Sequence, residues 1–237
     1  GSGVNLNAGV SVNMSYSLVK TLRLQRVGDG FFESDSRQRE WPAGDVRLSR
    51  TFSRGPVAFF RTGASFRRRE GSTDTPSLAG PAAHQATVST ALAPDAQLGL
   101  RNGMAFTFGY SANDQTTEGN GNTTRGTQDS YTASLNHSFR LPRAFGRHRP
   151  TIRTSLTGLT SKAATCLEIN NQPGCFTISD IRRKELRGGL DADVTKIMTG
   201  GLQFGYSLND VRNQSTRVSQ IFIAARFQLS LYAGDYR

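Results

Sequence analysis

The sequence predicts an all-β membrane protein: a transmembrane antiparallel up-and-down β-barrel of about ten strands, or an arc of a larger barrel, occupying residues 1–237 as a single domain. Three observations predict it. Apolar residues fall on every second position in one segment after another, most regularly at Val4, Leu6, Ala8, Val10, Val12, Met14, Tyr16 and Leu18. The connections between segments alternate long and short along the chain, and aromatic residues gather where strands lead into the long ones. A period of two places successive apolar side chains on one face of an extended strand, and roughly 9–11 tilted residues suffice to cross a bilayer.

In chain order, the first strand continues from Leu18 through Leu22 and Leu24, and the polar stretch 27–43 reads as a long loop. A second strand, 45–53, sets Val46, Leu48 and Phe52 opposite Asp45, Arg47 and Ser49, and Arg54-Gly55-Pro56 supplies a tight turn. The third, 57–68, alternates Ala58, Phe60, Ala64 and Phe66 with Phe59, Arg61, Gly63 and Ser65 before a Gly/Ser/Thr/Pro-rich loop, 70–81. The fourth spans 82–93, and Pro94-Asp95 is expected to close a turn into a fifth strand carrying Ala96, Leu98, Leu100, Met104, Phe106, Phe108 and Tyr110. A third long loop, 113–128, follows. In the sixth strand the apolar phase moves to odd positions, Tyr131, Ala133, Leu135, His137 and Phe139. A basic connection, 142–150, leads to the seventh strand, 151–160, and to a loop over 161–180. Leu186, Leu190, Ala192 and Val194 mark the eighth strand, and a turn at 196–200 precedes Leu202, Phe204, Tyr206 and Leu208 in the ninth. After a loop at 209–215, Ile221, Ile223, Ala225, Phe227, Leu229 and Leu231 mark the tenth. Short turns on one side and long loops on the other are the habit of outer-membrane barrels, so both termini are expected on the periplasmic side of a bacterial, Gram-negative outer membrane. A soluble β-sandwich that binds polyanions is the alternative fold.

Composition agrees without deciding. Hydrophobic residues are 36% of the chain and mean hydropathy is −0.45, which suits a barrel whose strands give half their residues to a polar lumen. No run of about 18 apolar residues is present, so transmembrane helices are excluded. Gly1-Ser2-Gly3 is neither a signal peptide nor an initiator Met, and a mature chain or a piece of a longer one is expected. The net charge of +11 is carried mainly by arginine, the lysines being only Lys20, Lys162, Lys184 and Lys196. These arginines are spread over many segments, which speaks against nucleic acid and leaves anionic lipopolysaccharide or an anion-favouring lumen.

Arg47, Arg61, Arg101, Arg153, Arg187 and Arg226 all take the polar phase of their strands, as do Asp45, Glu185, Asp191 and Asp193. An arginine facing the bilayer midplane costs about 2–4 kcal/mol, so the polar phase is the lumen side. Two readings follow: a cationic lumen, or a filled interior in which these charges pair. Tyr16, Phe66, Phe108, Tyr110, Tyr131 and Tyr206 form the candidate aromatic girdle. Cys166 and Cys175 bracket Asn170, Asn171, Pro173 and Gly174, a segment able to turn back and pair the sulfurs in an oxidising compartment; two unpaired thiols are the alternative. His84 and His137 fall on the lipid phase and His148 in a turn, so no catalytic set forms, and no enzyme activity, cofactor or metal site is expected. Gly119 to Gly121 is turn chemistry, since no helix follows it to complete a phosphate cradle.

Val12-Asn13-Met14-Ser15-Tyr16-Ser17-Leu18, and Asp45-Val46-Arg47-Leu48-Ser49-Arg50-Thr51-Phe52 after Trp41-Pro42, resemble the strand rhythm near the C-terminal end of SprA-type outer-membrane proteins, which form the large barrel of the type IX secretion system. The chain departs from the barrel habit of a terminal aromatic, ending Gly234-Asp235-Tyr236-Arg237. The resemblance implies an arc of a large wall whose lumen face lines a protein conduit, with secreted proteins or other secretion components as partners. The expected function is thus a porin-like pore or protein-translocation channel wall in contact with outer-membrane lipid and lipopolysaccharide. The alternative is a closed, side-chain-filled barrel displaying loops that bind surfaces or glycans.

Overall fold

A computed structural model describes residues 8–27, 30–75, 83–119, 121–142, 150–169, 174–193 and 198–229. They form β1 (Ala8–Val27), β2 (Gly30–Thr51), β3 (Val57–Thr75), β4 (Ala83–Leu100), β5 (Met104–Gly119), β6 (Asn122–Arg140), β7 (Thr151–Ile169), β8 (Phe176–Asp193), β9 (Met198–Val211) and β10 (Thr216–Leu229), with a 3₁₀ turn, Arg212–Gln214, between the last two. Each strand pairs antiparallel with its sequence neighbours in the order β1 to β10. This is the expected up-and-down meander in one sheet, and it replaces the two packed layers of the sandwich alternative. Among the described residues β1 and β10 do not pair, so the sheet has two free edges. Val4 and Leu6, the loop residues Asn170, Asn171 and Pro173, the basic connection 143–149 with His148, Val194, Lys196, Leu231 and the terminal 234–237 lie outside the described residues.

The sheet has no core. Among the described residues no hydrophobic side chain is buried, and Ile221, Ile223, Met14 and Leu24 are each more than 70% exposed. Apart from glycine backbone, both faces of the single layer are open. Among the described residues, Gly99, Gly188 and Gly205 are the ones that are buried. Each lies beneath an aromatic ring of a neighbouring strand: Phe59 over Gly99, Phe204 over Gly188 and Phe222 over Gly205, and a Cβ at any of the three would overlap that ring. An aromatic laid across a cross-strand glycine covers backbone that the glycine leaves bare and helps fix register.

Three expectations are corrected. The long loops are largely strand. β2 begins at Gly30, opposite Val27; Thr75 of β3 faces Ala83; Gly119 of β5 faces Asn122; and Val211 of β9 faces Thr216. Likewise β7 runs on to Ile169 and β8 starts at Phe176. Apolar alternation ends where the side chains leave lipid, but the backbone ladder needs only N–H and C=O groups. Thr-rich runs such as Thr123-Thr124 keep extended geometry with water on both faces. Pro94-Asp95 is not a turn: β4 runs through it, and the turn falls at Arg101–Gly103, where Gly103 takes φ +85°. Pro94 keeps its partner Ala64 on β3, whereas the β4–β5 ladder has a gap between Leu92↔Ala112 and Asp95↔Gly109. The missing N–H thus falls on one side and interrupts a single ladder. Arg101 accordingly leaves the strand face; its guanidinium donates to the carbonyl of Phe52 at 2.6 Å and binds two turns together.

The third correction concerns Trp41-Pro42, which sit inside β2 at a bulge. Ser15↔Ala43 and Ser17↔Glu40 flank it on the β1 side, and Glu40↔Arg69 and Gly44↔Phe66 on the β3 side. The extra residue flips the parity of β2, and a bulge is also where a strand tolerates proline. Gly99→Val is expected to destabilise the folded sheet by about 1–3 kcal/mol through collision with the Phe59 ring. Phe59→Ala added to it should recover part of the loss, as read by urea titration of the heat-modifiable gel band.

Candidate functional site

The register allows each face to be followed across all ten strands. One row runs Val10, Leu48, Thr62, Ala96, Phe108, Ala133, Gly158, Leu186, Tyr206 and Ile221. Charged side chains on this apolar face bound a band. Towards the long hairpins the first charges are Lys20, Arg39 and Arg68 on β1 to β3, Asp114 and Asp129 on β5 and β6, Lys162 and Lys184 on β7 and β8, and Asp210 and Arg217 on β9 and β10; β4 has none before His84. Relative to the row, this edge lies ten residues out on β1 but only four out on β6 and β10, and two on β8. The opposite edge moves the same way, from Arg50 two residues beyond the row on β2 to at least Leu229, eight beyond it, on β10.

A band of steady height that crosses the rows obliquely means that the strands tilt against it. The drift is on the order of one residue per strand, or about 3 Å for each 4.8 Å step, a tilt of roughly 25–40°. Membrane barrels tilt their strands by about 35–45°. Tyr16, Phe66, Phe108, Tyr110, Tyr131 and Tyr206 all lie on this face. Phe66 and Tyr131 are two residues from the charged edge, and Tyr16, Tyr110 and Tyr206 are four from it. Tyr110 and Tyr131 pack with ring centroids 4.7 Å apart.

The other face holds the charged residues singled out in the sequence, apart from Arg101 in its turn. Arg47 pairs with Asp45 at 3.0 Å, Arg153 with Asp193 at 3.3 Å, Arg187 with Glu185 at 3.3 Å and Arg226 with Asp191 at 3.4 Å. Arg61 has no acidic partner among the described residues and lies over the Phe59 ring at 5.1 Å. Glu185 is also paired with Arg183, and Glu40 serves both Arg67 at 3.1 Å and Arg69 at 3.3 Å. Two carboxylates thus hold two guanidinium groups each, and the face keeps a positive excess. These pairs are exposed and are worth only about 0–1 kcal/mol apiece, so they set the field of the face more than its stability. Between the two charged zones the face is lined by hydroxyls, as at Ser111 and Ser130, 2.7 Å apart. Glu40, Arg67, Arg69 and Arg183 were not picked out in the sequence. Arg67 and Arg69 continue the odd phase of Arg61, Arg67 inside the expected strand and Arg69 just past its end, whereas Glu40 is hidden by the parity change at the bulge.

Cys166, in β7, and Cys175, just before β8, form a disulfide with Cα atoms 5.6 Å apart. Next to it, the Asn213 side-chain amide donates to the Ile178 carbonyl at 2.6 Å and ties this hairpin to the next. Among the described residues no group of three His, Cys, Asp or Glu side chains is placed to hold a metal ion.

No family model matches the chain, and no curated protein does. Among solved structures it is similar to the alcaligin outer-membrane receptor FauA of Bordetella pertussis, with a TM-score of 0.49 and 13% identity over 95% of this chain and 41% of that one. It is also similar to the Serratia marcescens hemophore receptor HasR in complex with HasA and heme, with a TM-score of 0.49 and 12% identity over 94% and 38%. The ferric citrate transporter FecA in its unliganded form gives a TM-score of 0.46 and 12% identity over 92% and 40%. The chain spans about two fifths of the length of these structures.

Leu135→Arg, in the middle of the apolar band, is expected to destabilise the protein in lipid vesicles by about 2–4 kcal/mol, and Ser134→Arg on the opposite face by far less. Equilibrium urea unfolding in vesicles compares them. Reduction of the disulfide should leave the band folded and raise amide exchange chiefly in the hairpin around Cys166 and Cys175, measured by mass spectrometry.

Proposed function

We propose that the chain is a section of the wall of a bacterial outer-membrane β-barrel, its apolar band against lipid and its arginine-bearing face lining an aqueous passage that favours anions. The observation that carries this reading is the oblique apolar band on a sheet with no second layer. In water such a layer has nothing to cover its apolar face, whereas in a bilayer lipid covers it. The free edges refine the reading. Inside lipid every unpaired N–H and C=O costs several kcal/mol, so β1 and β10 must be covered by strands. Because they do not pair with each other among the described residues, the reading favours further strands and a wall wider than ten. Barrels near eight strands are filled by side chains, while wider ones hold water. Passage rather than catalysis is the role assigned. On a finer level, the SprA-type strand rhythm of 12–18 and 45–52 would make the passage a protein conduit.

The test is conductance of the purified protein in planar bilayers. An anion-favouring current is expected, and Arg61→Gln combined with Arg153→Gln should move the reversal potential towards cation preference. A folded, inserted protein that carries no current overturns the passage and leaves a filled barrel that displays its hairpins. Solubility as a monomer without detergent overturns the membrane wall itself.

A further inference from the structure

We propose that Arg39, Trp41 and Arg68, on the apolar-face side of β2 and β3, hold a phosphate of the phosphorylated glycolipid of the outer leaflet. The proposal rests on the outer-membrane reading above. Its first support is position. These residues sit at the long-hairpin edge of the band, just beyond Phe66 and Gly44, at the depth of lipid headgroups. There the first charge above the band is basic on three successive strands, Lys20, Arg39 and Arg68. From β5 to β10 acids and bases are interspersed along that edge, as in the row Asp129, Lys162, Arg182, Asp210, Arg217, and no three successive strands are all basic.

Side-chain geometry is the second support. The Arg39 guanidinium lies 4.1 Å from the centre of the Trp41 ring, and the Arg68 guanidinium 5.9 Å from it. Stacking holds a guanidinium through its flat face and leaves the in-plane N–H donors open to an oxyanion; Arg68 gives its Nε and one terminal nitrogen to Glu70 and keeps its other terminal nitrogen, while Arg39 makes no such ion pair among the described residues. Trp41 is the one tryptophan of the chain and is 37% exposed. Charge accounting is the third. Asp35 takes Arg37 at 3.2 Å and Lys20 at 3.6 Å, and Glu70 takes Arg68 at 2.9 Å, whereas Arg39, which stands opposite Glu70 in the register, makes no close ion pair among the described residues. Trp41 first, and Arg68 after it, hold the Glu70 carboxyl below its ordinary range, and the ion pair of Glu70 with Arg68 at 2.9 Å keeps that guanidinium beside the indole. The bulge makes the arrangement compatible with the wall: Arg39 and Trp41 face outward above it, and Val46 and Leu48 face outward below it, although the two pairs have opposite parity.

The test uses the fluorescence of the purified, folded protein in zwitterionic micelles, taking as signal the part lost in Trp41→Phe. The probes are a bisphosphorylated lipid A, its dephosphorylated form and inorganic phosphate. A spectral shift that saturates at a concentration at least tenfold lower for the bisphosphorylated lipid than for the dephosphorylated one, and an Arg39→Gln/Arg68→Gln variant that loses this preference, are expected. Equal responses to the two lipids, or a preference that survives in the double variant, overturn the proposal. Saturation by inorganic phosphate at the same concentration as by the lipid overturns the assignment to a lipid headgroup. Failure of the wild-type protein to insert into vesicles overturns the outer-membrane reading along with it, whereas insertion without a phosphate-dependent shift overturns the lipid site alone.

Discussion

The constraint on which everything else depends is that the backbone hydrogen-bond ladder, rather than a packed core, holds this sheet together. Among the described residues no second layer packs against it and no hydrophobic side chain is buried. A soluble domain of this size would place apolar side chains between layers and gain about 25 cal/mol for each Å² removed from water. On the membrane-wall reading proposed above, that gain comes from lipid. What the protein itself supplies is a nearly continuous antiparallel ladder, and the glycines roofed by Phe59, Phe204 and Phe222 are the places where side chains seal it.

The ladder also explains which parts of the fold were legible in the sequence. Strand number, neighbour order and the two faces follow from alternation, because lipid imposes it on every crossing: Leu98, Phe106, Leu135 and Leu156 share the apolar face along a single row. Strand ends were not legible. Beyond the band both faces meet water, the alternation lapses, and a polar strand such as 33–40 reads as a loop. Pro94 misled for a related reason. Its chemistry is that of a turn, yet the apolar phase from Ala86 to Leu100 passes through it unbroken, and in a ladder with one partner missing the phase outweighs the residue.

The polar face carries its charges in two zones, Arg47, Arg61, Arg67 and Arg69 near one side of the sheet and Arg153, Arg183, Arg187 and Arg226 near the other, with hydroxyls between. The acids are nearly all engaged, two of them twice, and Arg61 is left over. The arginines were readable as a class, since their phase keeps them out of lipid. Their pairing was not, because it depends on which strand lies next to which and in what register.

The bulge at Trp41-Pro42 gives β2 two reading frames. Residues above it and residues below it assign inside and outside to opposite parities, and a single extra residue joins the two frames at the water boundary. Loss of one residue between Glu40 and Gly44 would merge the two frames: Arg39 and Gly44 would stand an even number of residues apart, the bulge would close into a plain strand, and Val46 and Leu48 would keep their face with β1 and β3 in the same register. Lineage comparisons of such walls should therefore find this short stretch either at its present length or one residue shorter with a plain strand in place of the bulge, because both counts leave the two faces where they are.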